Sequence, residues 1–408
     1  MPIAVTPYIP TYITVHLGTP DSNTENVTVS FRDYIKNVAS SEIYPTWELS
    51  ALRANILAQV SFALNRIYTE FYPSRGYNFN ITGTTAYDQR FIKNRTIFEN
   101  ISELVDELFN TYIRRQGFVE PLAAQFCNGT TSFCEGLSQW GSQGLAQDGY
   151  NSIDILRYYY GNNIELVSNA PIQDIQYSYP GEPMRRGDVG PYVRIAQVML
   201  NRIGQNYPAI PKLEHVDGIF GAATEDSVRV FQGIFNLTVD GIIGRSTWYM
   251  MVQLHSSILR LSELASLGQT HYVIDFTYQN PTIYGESGSE VSLLQYILSV
   301  LSQFYVTIPF LTIDGVFGDE TLRAVKAFQR EVGLPQSGEV NESTWLALVN
   351  NYLGIDTAVL SDPTLFPETA ESSLRTYEYL QNALASLQHT NFLPLIYGQT
   401  DAERSAAL

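Results

Sequence analysis

The sequence predicts an α+β N-terminal domain, then two small all-α domains of three helices each, then a C-terminal helix. Three observations carry this. The stretch "HVDGIFGAATEDSVRVFQGIFNL" (215–237) returns as "TIDGVFGDETLRAVKAFQREVGL" (312–334), so the second half is built on an internal repeat. The first 170 residues mix β-branched alternating segments with apolar residues at steps of three and four, and show no regular strand–helix alternation. Apolar residues make up 45% of the 408 and charged residues only 16%, a composition that fills cores and excludes global disorder. The expected divisions are 1–170 for the first domain, 171–253 and 281–353 for the repeats, 254–280 for a helical connector, and 354–408 for a truncated repeat and tail.

In chain order, "YITVHLG" (12–18) and "NVTVSF" (26–31) alternate as strands do, and "FRDYIKNVAS" reads as a short helix. "SSEIYPTW" (40–47) follows, with one carboxylate, Glu42, among apolar and aromatic neighbours. After Pro45, Leu49, Leu52, Ile56, Val60, Ala63, Leu64 and Ile67 predict a long amphipathic helix, capped by Thr46 or Ser50. Glu48 falls in its first turn, where the helix dipole favours a negative charge, so its expected role is structural. A third helix is expected through Ile101, Leu104, Val105, Leu108 and Tyr112, ended by Gly117. "VEPLAAQF" (119–126) reads as a strand, and residues 136–161 as a Gly-punctuated loop entering a helix. Cys127 and Cys134 leave three options open: a short disulfide, free thiols or a weak zinc site. Zinc ranks last, because two thiolates without a nearby His fall short of four ligands. No metal and no cofactor is expected.

In the repeats, Asp217, Gly221, Phe231, Gln232 and Trp248 recur 97 residues later as Asp314, Gly318, Phe328, Gln329 and Trp345. Upstream, "GDVGPYVRIAQVML" (187–200) answers "GESGSEVSLLQYIL" (285–298) at an offset of 98. Asp-Gly supplies a turn, Gly being free to take positive φ, and the following Thr224 is a suitable helix cap. Val193, Ala196, Leu200 and Ile203, and then Val228, Phe231, Ile234 and Phe235, recur at helical spacing. The connector "LHSSILRLSELASLG" (254–268) places Ile258, Leu261, Leu264 and Ala265 on one face. "RTYEYLQNALASL" (375–387) echoes the first helix of the repeat, a cap or a contact helix through which copies of the chain could associate.

The net charge is −17 and no basic run occurs, which argues against nucleic acid and makes a neutral polymer the more natural partner. "MPIAVTPYIP" lacks the charged and apolar regions of a standard signal peptide, and no stretch of about 18 apolar residues predicts a membrane span.

The repeats resemble the type-1 peptidoglycan-binding domain: G-D-x-G-x-x-V-x-x-L-Q, then D-G-x-F-G-x-x-T-x-x-A-V-x-x-F-Q, then a T-W helix. The resemblance implies peptidoglycan glycan strands as partner and a place in the spore or cell wall. The matching residues themselves read mainly as turns, caps and core. Three N-terminal segments, "SSEIYPTWELSALRANILAQVSFALNR", "TTAYDQRF" and "GLSQWGSQGLAQDGYNSIDILRYYYG", resemble in order the catalytic domain of the sporulation stage-II protein D family, the lytic transglycosylases of spore formation. That resemblance implies cleavage after N-acetylmuramic acid to 1,6-anhydro products. Glu42 would be the catalytic acid, and Tyr87, Gln89, Ser138, Gln139 and Trp140 would bind the sugar. One carboxylate suffices in such chemistry, because the sugar's own 6-hydroxyl replaces the second group that most glycosidases need. The chain departs from the pattern at Val60, Asn55 and Phe133, where the family has Arg, Gln and His. Those departures motivate the alternative of a non-catalytic wall or spore protein.

Overall fold

The computed structural model describes residues 7–130, 132–259, 270–271, 276 and 278–361. The N-terminal region is α+β, built from β1 (Ile9–Pro10), β2 (Tyr12–His16), β3 (Asn26–Ser30), α1 (Phe31–Glu42), α2 (Leu49–Tyr68), β4 (Ile81–Thr82), α3 (Glu99–Leu108), β5 (Tyr112–Arg115), β6 (Phe126–Cys127), β7 (Ser132–Phe133), β8 (Leu137–Ser138), α4 (Gln139–Gln147), α5 (Ser152–Tyr160), β9 (Ile164–Val167) and β10 (Ile172–Gln173). Its largest sheet has the order β3-β2-β4. β2 pairs antiparallel with β3, Ile13 opposite Val29, and parallel with β4, Val15 opposite Ile81. Ile13 and Val15 point into the core while Tyr12 stays exposed, the alternation expected of a sheet buried on one face.

α2 is the central rod, with α1, α3, α4, α5 and β5 packed around it. Every residue from Ala54 to Ile67 is buried, so the helix is enclosed on all sides rather than amphipathic as its spacing suggested. Polar residues on this rod fasten the neighbours. Asn55 Nδ2 donates to Ser142 Oγ on α4 at 2.8 Å, and Ser61 Oγ accepts from the Ile113 N–H on β5 at 2.8 Å. The expected caps are also corrected. Glu48 occupies the N-cap position, and its N–H donates to Gln143 Oε1 at 2.9 Å.

Three further expectations change. The third helix stops at Leu108, and Tyr112 opens a strand paired with β9; Tyr112 stands four residues after Leu108, a step that suits a further turn of helix as well as the start of a strand. Of residues 119–126 only Phe126 belongs to a strand. The Gly-rich run after Ser138 is helix α4, whose N-cap Ser138 Oγ accepts from Gly141 N–H at 2.9 Å. Cys127 and Cys134 form a disulfide, which closes the question of their state.

Each repeat is a bundle of three helices: α6 (Pro191–Gly204), α7 (Ala222–Ile234) and α8 (Arg245–Ile258) in the first, and α9 (Ser289–Leu301), α10 (Asp319–Glu331) and α11 (Glu342–Ser361) in the second, α11 running on past the repeat as a C-terminal helix. A buried glutamine organises each turn. Gln197 Nε2 donates to Asp217 Oδ1, the Ile219 carbonyl and Thr224 Oγ1, and Gln197 Oε1 accepts from Gly218 N–H at 2.9 Å. Gly218 sits at φ +78°, which explains the glycine. Gln295 repeats the arrangement with Asp314, Val316, Thr321 and Gly315. Thr224 is therefore inside its helix, which Gly221 caps, and serves as an acceptor for glutamine.

The first repeat has its own core around Phe220, Phe231 and Trp248. It is seated on the N-terminal region through a polar knot: Ser178 N–H and Oγ donate to the Glu70 carboxylate, and Trp248 Nε1 donates to Ser178 Oγ at 2.9 Å. The second repeat shares one continuous core with the N-terminal region. Between the repeats, β11 (Thr270–His271) pairs antiparallel with β7, so this part of the expected helical connector is strand. Leu261, Leu264 and Ala265 of the connector, residues 375–387 and the association expected of them lie outside the described residues.

Candidate active site

Glu42 is the last residue of α1, and the chain turns extended at Ile43. Its side chain is half-buried. Oε1 accepts from the Arg90 backbone N–H at 2.6 Å, and Oε2 accepts from Gln139 Nε2 at 3.1 Å. Burial pushes this carboxyl from the usual 4.5 up to about 7, against the opposing pull of the Arg90 N–H, the Arg90 charge and the amides of Gln139 and Gln59. Gln59, fully buried on α2, turns its amide toward the same carboxyl at longer range than a normal hydrogen bond.

The segment that delivers Arg90 is pinned from below. Asp88 forms a buried ion pair with Arg66, Nε to Oδ1 at 2.8 Å, and accepts from Tyr72 Oη and from Thr82 N–H and Oγ1. Gln89 is fully buried, accepting from Tyr34 Oη at 2.7 Å and donating to the Gln59 carbonyl at 3.0 Å. The expectation that Gln89 binds sugar is corrected here: its amide is sealed inside the fold, where it holds the 84–91 loop at the right height for Arg90.

Of the other expected residues, Gln139 reaches Glu42 directly. Ser138 is committed to capping α4. Trp140 is 6% exposed and stands edge-on to Trp47 at 5.1 Å, with Tyr44 5.7 Å from both. Ile43, Tyr44, Trp47 and Trp140 thus make an apolar wall that begins one residue after Glu42. Tyr87 lines a shallow pocket with Phe62, Arg66, Gln125, Phe126 and Cys134, and Glu42 is not in that lining. Arg90 and Gln59 escaped sequence reasoning. A backbone donor leaves no trace in residue type. Gln59 did leave one: a polar residue inside the apolar run of α2.

Val60, where the resembled family carries Arg, is buried, and Asn55 is engaged by Ser142 and the Ala51 carbonyl. Phe133 is 48% exposed on β7. Among the described residues no group of three or more His, Cys, Asp or Glu is placed to hold a metal ion, and no helix is long and apolar enough to cross a membrane.

In both bundles the same glutamine-centred turns, glycine caps and buried Trp248 or Trp345 recur in the same order. Residues 189–251 and 287–348 match the family model described as "Putative peptidoglycan binding domain". The chain carries two such domains in tandem, which associates it with peptidoglycan and the cell wall. No curated protein matches the chain.

Proposed function

We propose that the chain is a peptidoglycan lytic transglycosylase of the wall, acting on spore cortex, with Glu42 as its single acid–base group. One observation carries this reading. A carboxyl raised to about 7 by burial, and steadied by a backbone N–H and an amide, lies in a chain with two peptidoglycan-binding domains.

A proton donor to a glycosidic oxygen must be neutral at working pH, and burial supplies that. Protonated Glu42 gives its proton to the oxygen that links N-acetylmuramic acid to the next sugar. The bond from the anomeric carbon to that oxygen breaks. The 6-hydroxyl of the same muramic residue attacks the anomeric carbon, and the Glu42 carboxylate takes the hydroxyl proton. No water is consumed, the ring product is a 1,6-anhydro sugar, and Glu42 ends protonated as it began. Arg90 N–H and Gln139 steady the carboxylate in between. The repeats raise the local concentration of glycan, so each can bind weakly.

The test is digestion of purified cortex or cell-wall glycan, with mass spectrometry of the released fragments. Anhydro-muropeptides are expected from the native chain. Glu42→Gln is expected to lower their release by roughly 10³-fold or more. No anhydro product from the native chain, or equal release from the variant, would sink the reading. A second reading, a non-catalytic wall protein, is favoured by Val60 and Asn55, which present neither Arg nor a free amide to a sugar. It predicts retention on insoluble peptidoglycan with no fragment release.

A further inference from the structure

The two repeats differ along one helical face. At the offset of 98, Val198, Arg202 and Asn206 of the first copy become Tyr296, Val300 and Phe304 of the second. These positions are four apart, so they share a face. In the first copy Arg202 and Asn206 bond each other at the surface at 2.9 Å. In the second, Tyr296, Val300 and Phe304 are 4%, 1% and 1% exposed.

A helix serving only its own small bundle needs one apolar stripe, and α6 has one. In α9 every residue from Leu294 to Leu301 is buried, so it has two. The second stripe rests on the wall beside Glu42. Tyr296 meets Trp140 edge-on at 5.7 Å, Phe304 meets Tyr44 edge-on at 6.2 Å, and Thr46 Oγ1 donates to Gln303 Oε1 at 2.8 Å. Trp140 follows Gln139, which holds Glu42 Oε2, and Tyr44 stands two residues after Glu42 itself.

We propose that the second repeat is a positioning element of the Glu42 site: its α9 face clamps the Tyr44–Trp47 turn and the start of α4, and so fixes Glu42 against Gln139. This deepens the catalytic reading and rests on it for its meaning, although the clamp is measurable without turnover. The groups around the Glu42 carboxyl are Arg90 from the 84–91 loop, Gln139 from α4, Gln59 from α2 and Tyr34 from its own helix. Releasing the clamp lets Gln139 drift from Glu42 and admits water to the carboxyl; burial is the largest influence on this group and outweighs the amide bond, so the affinity for a proton falls.

The test gives the second copy the first copy's chemistry in the full chain: Val300→Arg with Phe304→Asn. Amide hydrogen exchange at residues 44–48 and 139–143 is expected to quicken roughly tenfold or more, while α10 stays protected. The Glu42 titration midpoint, read by ¹³C carboxyl NMR as the difference from Glu42→Gln, is expected to drop from about 7 toward the ordinary carboxylate value. Unchanged exchange and midpoint with α10 protected would overturn the proposal. If the double variant unfolds the second repeat, Tyr296→Val, the first copy's residue, is measured instead. The same shifts in smaller degree are expected, and their absence would overturn it equally. Neither readout needs activity, so an inactive chain with a working clamp is told apart from a failed clamp.

Discussion

The Glu42 carboxyl holds its proton more tightly in the folded chain, at about 7, than in the unfolded one, near 4.5. Such a group favours folding fully below about 4.5, and this contribution is lost as pH rises through 7. Glu42→Gln has no charge to bury. It is therefore expected to gain stability over the native chain at pH 8, by about 1–3 kcal/mol after discount for partial exposure, and no such margin at pH 4.5. Urea unfolding at the two values checks this, and equal margins would refute it. The carboxylate itself was legible in the sequence, since "SSEIYPTW" sets one acid among apolar neighbours. Its closest partner was not. The Arg90 N–H lies 48 residues away and belongs to the backbone, which every residue has. Gln89 was legible as a site residue but its role was not, because an amide suits a sugar and a buried strut equally well.

Helical spacing located α2 and the first two helices of each repeat, and strand alternation located β2 and β3, because those segments are long enough for their period to show. It misplaced Tyr112, where four residues are too few to separate the two periods, and α4, where glycines hide helical order that Ser138 and the packing of Trp140 impose. It also read α2 as one-faced. Periodicity reports where apolar residues are, while Asn55, Gln59, Ser61 and Asn65 are buried polar residues that it counts as surface. The repeat glutamines follow the same logic. Gln295→Leu removes the donor to three oxygens and the acceptor of the Gly315 N–H, which is left buried without its partner. A loss of about 2–4 kcal/mol is expected in chemical denaturation of the second repeat. A loss under about 0.5 kcal/mol would show that water replaces the amide.

At the scale of the molecule, the repeats are attached in two ways, one through its own core and a polar knot, the other through a shared core. Leu298→Ala is expected to lower the unfolding temperature read by fluorescence of Trp47 and Trp140, at a cost of about 2–5 kcal/mol, whereas Leu200→Ala at the equivalent position leaves that signal nearly in place. Equal shifts from both would mean that the chain melts as one unit. The duplication was plain in the sequence, and the unequal seating was present too, in Tyr296, Val300 and Phe304. It stayed unread because an extra apolar stripe names no partner. The Cys127–Cys134 bridge closes the loop that carries Ser132 and Phe133, the strand on which Thr270 and His271 pair. Bridges of this kind persist in oxidising compartments and are scarce where glutathione keeps thiols reduced. The oxidation state of two sulfur atoms is thus coupled to the seat of the chain leading into the second repeat. Alkylation of free thiols followed by mass spectrometry reads that state directly, before and after the protein reaches the wall.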